Sequence, residues 1–173
     1  MIIGSTREGR VGDGIGHWIA GHAARRGDIA VTVVDLADYD LPARYPHTPT
    51  RQMDALAAAI GEADGFIVVT PEYNRSFPAS LKQAIDCAYD EWQAKPVGFV
   101  SYGCRSDGRY AVEHLRSVFT ELHAVTMRNG VAFDLLARPD PEARAVAADT
   151  MLDQLAWWAC ALRDARTAHP YVA

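Results

Sequence analysis

Two short polar stretches carry the residue types that could do chemistry. The first, Gly4-Ser5-Thr6-Arg7-Glu8-Gly9-Arg10-Val11-Gly12, follows the apolar start Ile2-Ile3 and opens a segment whose apolar residues recur every four positions. A helix start presents backbone N–H groups and a partial positive charge, so hydroxyls and arginines beside it suit a phosphate ester. Glycines 4, 9 and 12 let the backbone approach such a ligand closely. Taken alone, this loop fits an ordinary strand-to-helix turn with solvated arginines equally well. The second stretch, Thr70-Pro71-Glu72-Tyr73-Asn74, directly follows the apolar run Gly65-Phe66-Ile67-Val68-Val69. A buried strand that breaks into a polar loop marks the place where open α/β sheets hold ligands. Two such loops point to one phosphate-bearing cofactor.

Other chemistries fail on spacing. The first loop has no G-x-x-x-x-G-K-[ST] and no G-x-G-x-x-G, so a P-loop ATPase and a dinucleotide-fold dehydrogenase are poor matches. His17, His22, His47, His114, His123 and His169 show no H-x-x-x-H or H-E-x-x-H pattern, and no metal site is expected. Cys104 follows a strand-like run, but a C-x5-R phosphatase loop needs Arg at position 110, where Tyr110 stands. Cys87, Cys104 and Cys160 have no C-x-x-C spacing and give neither a disulfide framework nor a zinc site. Lys82 and Asp86, four apart, read as a surface ion pair.

The 173 residues, 49% hydrophobic and 23% charged, suit one domain over 1–173 with a core of its own. With 22 acidic against 17 basic residues the net charge is -5, which disfavours nucleic acid and anionic membranes as partners. No secretory leader or bilayer-length apolar span is present, and the free cysteines agree with a reducing cytoplasm. The apolar start before Gly4 is short against a usual strand of about five or six residues, which leaves open a first strand that begins before Met1.

The elements that must position the two loops follow from apolar periodicity. Val11, Ile15, Ile19 and Ala23 mark a first helix ending near Arg26-Gly27, and the β-branched run 30–35 a strand. After a Pro-containing loop at 41–49 come a helix (Met53, Leu56, Ala57, Ile60), a strand at 66–69, and a helix entered through Pro78 that carries Leu81, Ala84, Ile85, Ala88 and Trp92. A strand at 97–101, a helix (Val112, Leu115, Phe119, Leu122), a fifth strand at 125–128 and a last helix with Met151, Leu155 and Trp158 complete the pattern. Strands alternating with single helices imply right-handed crossovers and a parallel sheet between helical layers. For five strands the expected order is 2-1-3-4-5, in which the loops after strands one and three open side by side into a crevice.

Three segments in order, Gly4-Ser5-Thr6-Arg7, then Pro71-Glu72-Tyr73-Asn74, then Ser76-Phe77-Pro78-Ala79-Ser80-Leu81-Lys82-Gln83-Ala84-Ile85-Asp86, match G-S-x-R, P-E-Y-N and S-x-P-x-x-L-K-x-A-I-D. In these, from residue 4 to about 127, the chain resembles the NADPH-dependent FMN reductase family. The resemblance implies a flavodoxin-like α/β sandwich, noncovalently held FMN, NADPH as electron donor, and homodimers or homotetramers. It implies that Ser5, Arg7, Arg10, Val11 and Gly12 surround the FMN phosphate, that Pro71, Glu72, Tyr73 and Asn74 border the flavin ring, and that Ser101, Tyr102 and Gly103 flank it. The implied activity is ping-pong: NADPH or NADH delivers hydride to the flavin, which then reduces a quinone, free flavin, azo dye or metal oxyanion. No catalytic acid or base is required of the protein, because the flavin carries the chemistry. An FMN-binding electron-transfer or signalling module without NAD(P)H oxidation is the alternative. The run Tyr102-Gly103-Cys104-Arg105-Ser106-Asp107-Gly108-Arg109 departs from the paired glycines frequent in the family.

Overall fold

The structure is a computed structural model and describes residues 1–172. Its strands β1 (Ile2–Ile3), β2 (Val34–Asp35), β3 (Phe66–Pro71), β4 (Pro96–Gly103), β5 (Val125–Thr126) and β6 (Val131–Asp134) form one parallel sheet in the order β2-β1-β3-β4-β5, with β6 also on β4. This is the expected flavodoxin-like 2-1-3-4-5 order. Strands β5 and β6 pair opposite ends of β4, at Pro96 and Val97 and at Val100 to Gly103, so the fifth strand is one path broken around Asn129-Gly130. Of the expected strand 30–35 only Val34 and Asp35 are laddered. The reason is that β2 pairs only with β1, which offers Ile2 and Ile3.

β3 and β4 are buried along their whole length. Alternation divides their side chains between two cores. Phe66, Val68, Val97 and Phe99 face α2 (Arg51–Glu62), α3 (Ala79–Ile85) and α4 (Arg109–Glu121) through Leu56, Ile60, Leu81, Ile85, Leu115 and Phe119. Ile67, Val69, Val100 and Tyr102 face α1 (Gly12–Ala24) and α5 (Pro141–Ala168) through Ile15, Ile19, Met151, Leu152 and Leu155. The helix expected to run from Pro78 to Trp92 ends at Ile85. Trp92 enters the same core from a 3-10 turn, Asp90–Trp92, with its ring N–H donating to the Ile85 carbonyl at 3.1 Å. Among the described residues no helix is long and apolar enough to cross a membrane.

Candidate functional site

The loop after β1 starts tied to the sheet, with the Gly4 N–H donating to the Val69 carbonyl at 2.8 Å. Ser5 is fully buried, and its hydroxyl has no hydrogen-bond partner. Two other helices begin with side-chain caps: Thr50 accepts from the Met53 N–H at 3.3 Å and Asp140 from the Ala143 N–H at 3.0 Å. At α1 the cap position is Val11, which has no such group to offer, so the first-turn N–H groups face the loop without a side-chain acceptor. Val11 is 47% exposed and does not join the inner stripe of Ile15, Ile19 and Ala23 expected from periodicity. Gly12 fits because a Cβ there would overlap both the Ser5 hydroxyl and the Tyr102 hydroxyl.

The two arginines of this loop part company. Arg10 donates to both carboxylate oxygens of Asp35, at 2.5 and 2.6 Å, and to the Ser5 carbonyl at 2.6 Å, with both side chains only 16% exposed. Its charge is thus taken by the end of β2, and its role in the structure is to clamp the loop to that strand. Burial pushes the Asp35 carboxyl up, but Arg10 and the Ala37 N–H outweigh it and hold it below the ordinary value. Arg7 is exposed and lies over the Tyr73 ring, 4.1 Å from its centre.

After β3 the chain makes a tight turn. Tyr73 and Ser76 exchange backbone hydrogen bonds of 2.8 and 3.0 Å, and both central residues, Asn74 (φ 51°) and Arg75 (φ 66°), are left-handed. Asparagine tolerates that conformation, whereas arginine bears a backbone cost there. The Arg75 guanidinium stacks on Tyr110, 3.9 Å from the ring centre. Glu72 turns away along the rim: its carboxylate accepts from the Ser106 hydroxyl at 2.6 Å and the Tyr110 N–H at 3.0 Å, capping α4 from outside. The loop after β4 is held from below by the Ser101 hydroxyl, which donates to the Asp107 carbonyl at 2.7 Å. Gly108 (φ 81°) closes it, since a Cβ there would lie 2.6 Å from the Ser101 Cβ.

Tyr102 departs from the expected grouping with Ser101 and Gly103. All three belong to β4, where neighbours point to opposite faces, so Tyr102 is sent to the α1 side. Its hydroxyl reaches Gly12 and Ser5, and burial pushes the phenol up to about 12. The structure therefore gathers Ser5, Gly12 and Tyr102 beneath the first loop, Arg7 and Tyr73 above it, and Pro71, Glu72, Ser101 and Gly103 along the adjoining strand ends. It draws Arg10 aside to Asp35. Spacing gave no sign of Asp35, Ser106 or Tyr110 as partners, because each meets its partner only through the crossover geometry.

A cavity of about 220 Å³ opens beside Thr6 and Ser80, walled by the chain after β2 from Leu36 to Leu41. A larger one, about 510 Å³, lies at the other end of the strands among Asp90, Lys95, Arg166 and Tyr171. Its cations are already engaged: Lys95 donates to the Ile60 and Gly61 carbonyls at 3.0 and 2.8 Å, and Arg166 to the Ala94 carbonyl and to Asp64. The smaller cavity shares Thr6 with the first loop, whereas the larger one touches none of the three loops.

Comparison with known proteins identifies the family. Residues 1–136 match the profile of the NADPH-dependent FMN reductase family. An NAD(P)H-dependent FMN reductase of Schizosaccharomyces pombe is 37% identical over 117 residues, covering 62% of this chain and 58% of the relative. The chain thus spans rather more than half the length of that protein. A 2-hydroxy-1,4-benzoquinone reductase of Burkholderia is 31% identical over 134 residues, covering 73% of this chain and 72% of the relative. Among solved structures, the flavoenzyme NAD(P)H:(acceptor) oxidoreductase FerB of Paracoccus denitrificans superposes with a TM-score of 0.75 at 21% identity, covering 91% of this chain and 94% of that one. That likeness bears on the fold alone.

Proposed function

Because the chain belongs to the NADPH-dependent FMN reductase family, we propose that it is an FMN-dependent NAD(P)H oxidoreductase, contained in one flavin-binding domain. The observation that carries this reading is the uncapped start of α1 over the buried, unpartnered Ser5 hydroxyl, an arrangement lacking an anion acceptor. In this reading the N–H groups around Val11 and Gly12, the Ser5 hydroxyl and the Arg7 guanidinium hold the 5′-phosphate. Arg10 keeps the loop in place through Asp35 instead of touching the phosphate. Pro71, Glu72, Tyr73 and Asn74 border the ring, chiefly through backbone groups of the tight turn, with Ser101 and Gly103 beside them. Bound FMN supplies the redox chemistry, taking hydride from NADPH or NADH and reducing a small acceptor such as a quinone, free flavin, azo dye or metal oxyanion in ping-pong fashion. The protein's part is to seat the ring, leave one face open and donate hydrogen bonds to its edge.

Trp157 and Trp158, 65% and 36% exposed and stacked edge to face on α5, offer an apolar surface for pairing two copies, and we place the enzyme in the cytoplasm as a homo-oligomer. The test is spectroscopic. Under anaerobic conditions the protein is loaded with FMN, and NADPH or NADH is added in parallel while the flavin absorbance is followed. Rapid bleaching is the expected result and ranks the two nucleotides. Bound flavin that stays oxidised with both would overturn the reductase and leave an electron-transfer module.

A further inference from the structure

One buried group near the phosphate loop has no task in the reading above. Tyr102 is 4% exposed, and its hydroxyl, like that of Ser5, has no hydrogen-bond partner. Buried polar groups in native proteins are nearly always paired, so two orphans side by side call for a cause. Both oxygens converge on the position where a Cβ of Gly12 would stand, under the first residue of α1. A phenylalanine would fill the same core space against Val100 and the α1 stripe without an orphan, so packing alone does not account for the hydroxyl. A phenol is protonated at neutral pH, and burial pushes its titration further up, with the neighbouring Ser5 hydroxyl acting the other way. A protonated phenol can donate, and a serine hydroxyl can accept one hydrogen bond while donating another.

We propose that Tyr102 is a positioning residue for the phosphate subsite: when a phosphate ester sits at the start of α1, the Tyr102 O–H donates to the Ser5 hydroxyl oxygen and turns the Ser5 proton toward the phosphate. The donors then run in one direction, from phenol to serine to phosphate, and no bond other than hydrogen bonds changes. The inference rests on the reading of this site as an FMN site. It assigns Tyr102 to the phosphate end of the site, since its side chain leaves β4 on the opposite face from Ser101.

The test compares FMN with riboflavin, which lacks the phosphate, by quenching of flavin fluorescence on apoprotein of the wild type, Tyr102→Phe, Ser5→Ala and the double variant. The wild type is expected to prefer FMN. Tyr102→Phe should weaken FMN by about five- to tenfold, leave riboflavin unchanged, and add nothing in the Ser5→Ala background. An unchanged FMN-to-riboflavin ratio in Tyr102→Phe, an equal loss for both flavins, or full additivity with Ser5→Ala would each overturn the proposal while leaving the flavin site standing. A wild type with no preference for FMN would remove the phosphate site itself and the proposal with it. If Tyr102→Phe does not fold, as judged by circular dichroism, wild-type protein labelled with 3-fluorotyrosine decides: a Tyr102 fluorine resonance that shifts with FMN but not with riboflavin supports the relay, and the same shift with both, or none, sinks it.

Discussion

Replacing Arg10 by Met removes three charge-assisted hydrogen bonds, two to Asp35 and one to the Ser5 carbonyl, and keeps most of the aliphatic volume. An exposed ion pair contributes about 0 to 1 kcal/mol, whereas removing one member of a fully buried pair costs about 3 to 5 kcal/mol. With both side chains 16% exposed, the loss falls between these limits, at about 2 to 3 kcal/mol. For a chain of this size that lowers the melting temperature by about 4 to 12 °C, measurable by circular dichroism or calorimetry. Asp35→Asn should cost less, and the double variant should fall short of the sum by about 1 to 2 kcal/mol, because the second change breaks a contact already gone. Acid adds a check. Asp35 is held below its ordinary value, so its contribution is present at neutral pH and lost as pH falls below about 3.9, where the gap between wild type and Arg10→Met should close. Additive losses in the two single variants would refute the clamp. So would an unchanged melting temperature in Arg10→Met at neutral pH.

Two further outcomes follow from the geometry. Arg7→Ala should weaken FMN by about 10- to 150-fold, the worth of one charge-assisted phosphate contact, with little change in melting temperature because the side chain is exposed; unaltered affinity in a fluorescence titration would take Arg7 out of the site. Lys95 is buried against the last carbonyls of α2, and burial pulls its ammonium down to about 8. Between about pH 8 and its unfolded value near 10.4 the unfolded chain holds more protons, so the urea midpoint should gain from this residue as pH rises through that window, and Lys95→Met should lose that gain.

What could be read from the chain beforehand was whatever depends on near neighbours in sequence. The buried runs that became β3 and β4, the α1 stripe and the order of the strands rest on periodicity and alternation, which are local. Strand limits were less legible, because a ladder is as long as its partner permits: β2 stops at two residues opposite Ile2 and Ile3 despite a β-branched run leading into it. The helix after Pro78 follows its apolar spacing only to Ile85, and Trp92 reaches the same core by another route. In the site, the loops themselves were visible, and the directions of side chains within them were not. Arg10 and Asp35 lie 25 residues apart, and Glu72 meets Tyr110 across 38, distances at which no pattern of residue types announces a partner. The face on which Tyr102 points was hidden for a simpler reason: β4 runs on through Gly103, and strand alternation continues with it.

The left-handed turn at residues 73–76 is the link between the loops of the rim. Arg7 of the first loop rests on Tyr73, Arg75 of the second rests on Tyr110 at the start of α4, and Glu72 ties Ser106 of the third loop and the start of α4 back to the second. Glycine in place of Arg75 would ease the backbone and cut the chain of stacks, so the sequence gives up local comfort for linkage. Each stack of an exposed arginine on a ring contributes about 0.5 to 1 kcal/mol, so the rim is joined by several weak ties. A substitution that removes Tyr110 takes away the ring under Arg75, two residues beyond Tyr73, on which Arg7 of the first loop rests.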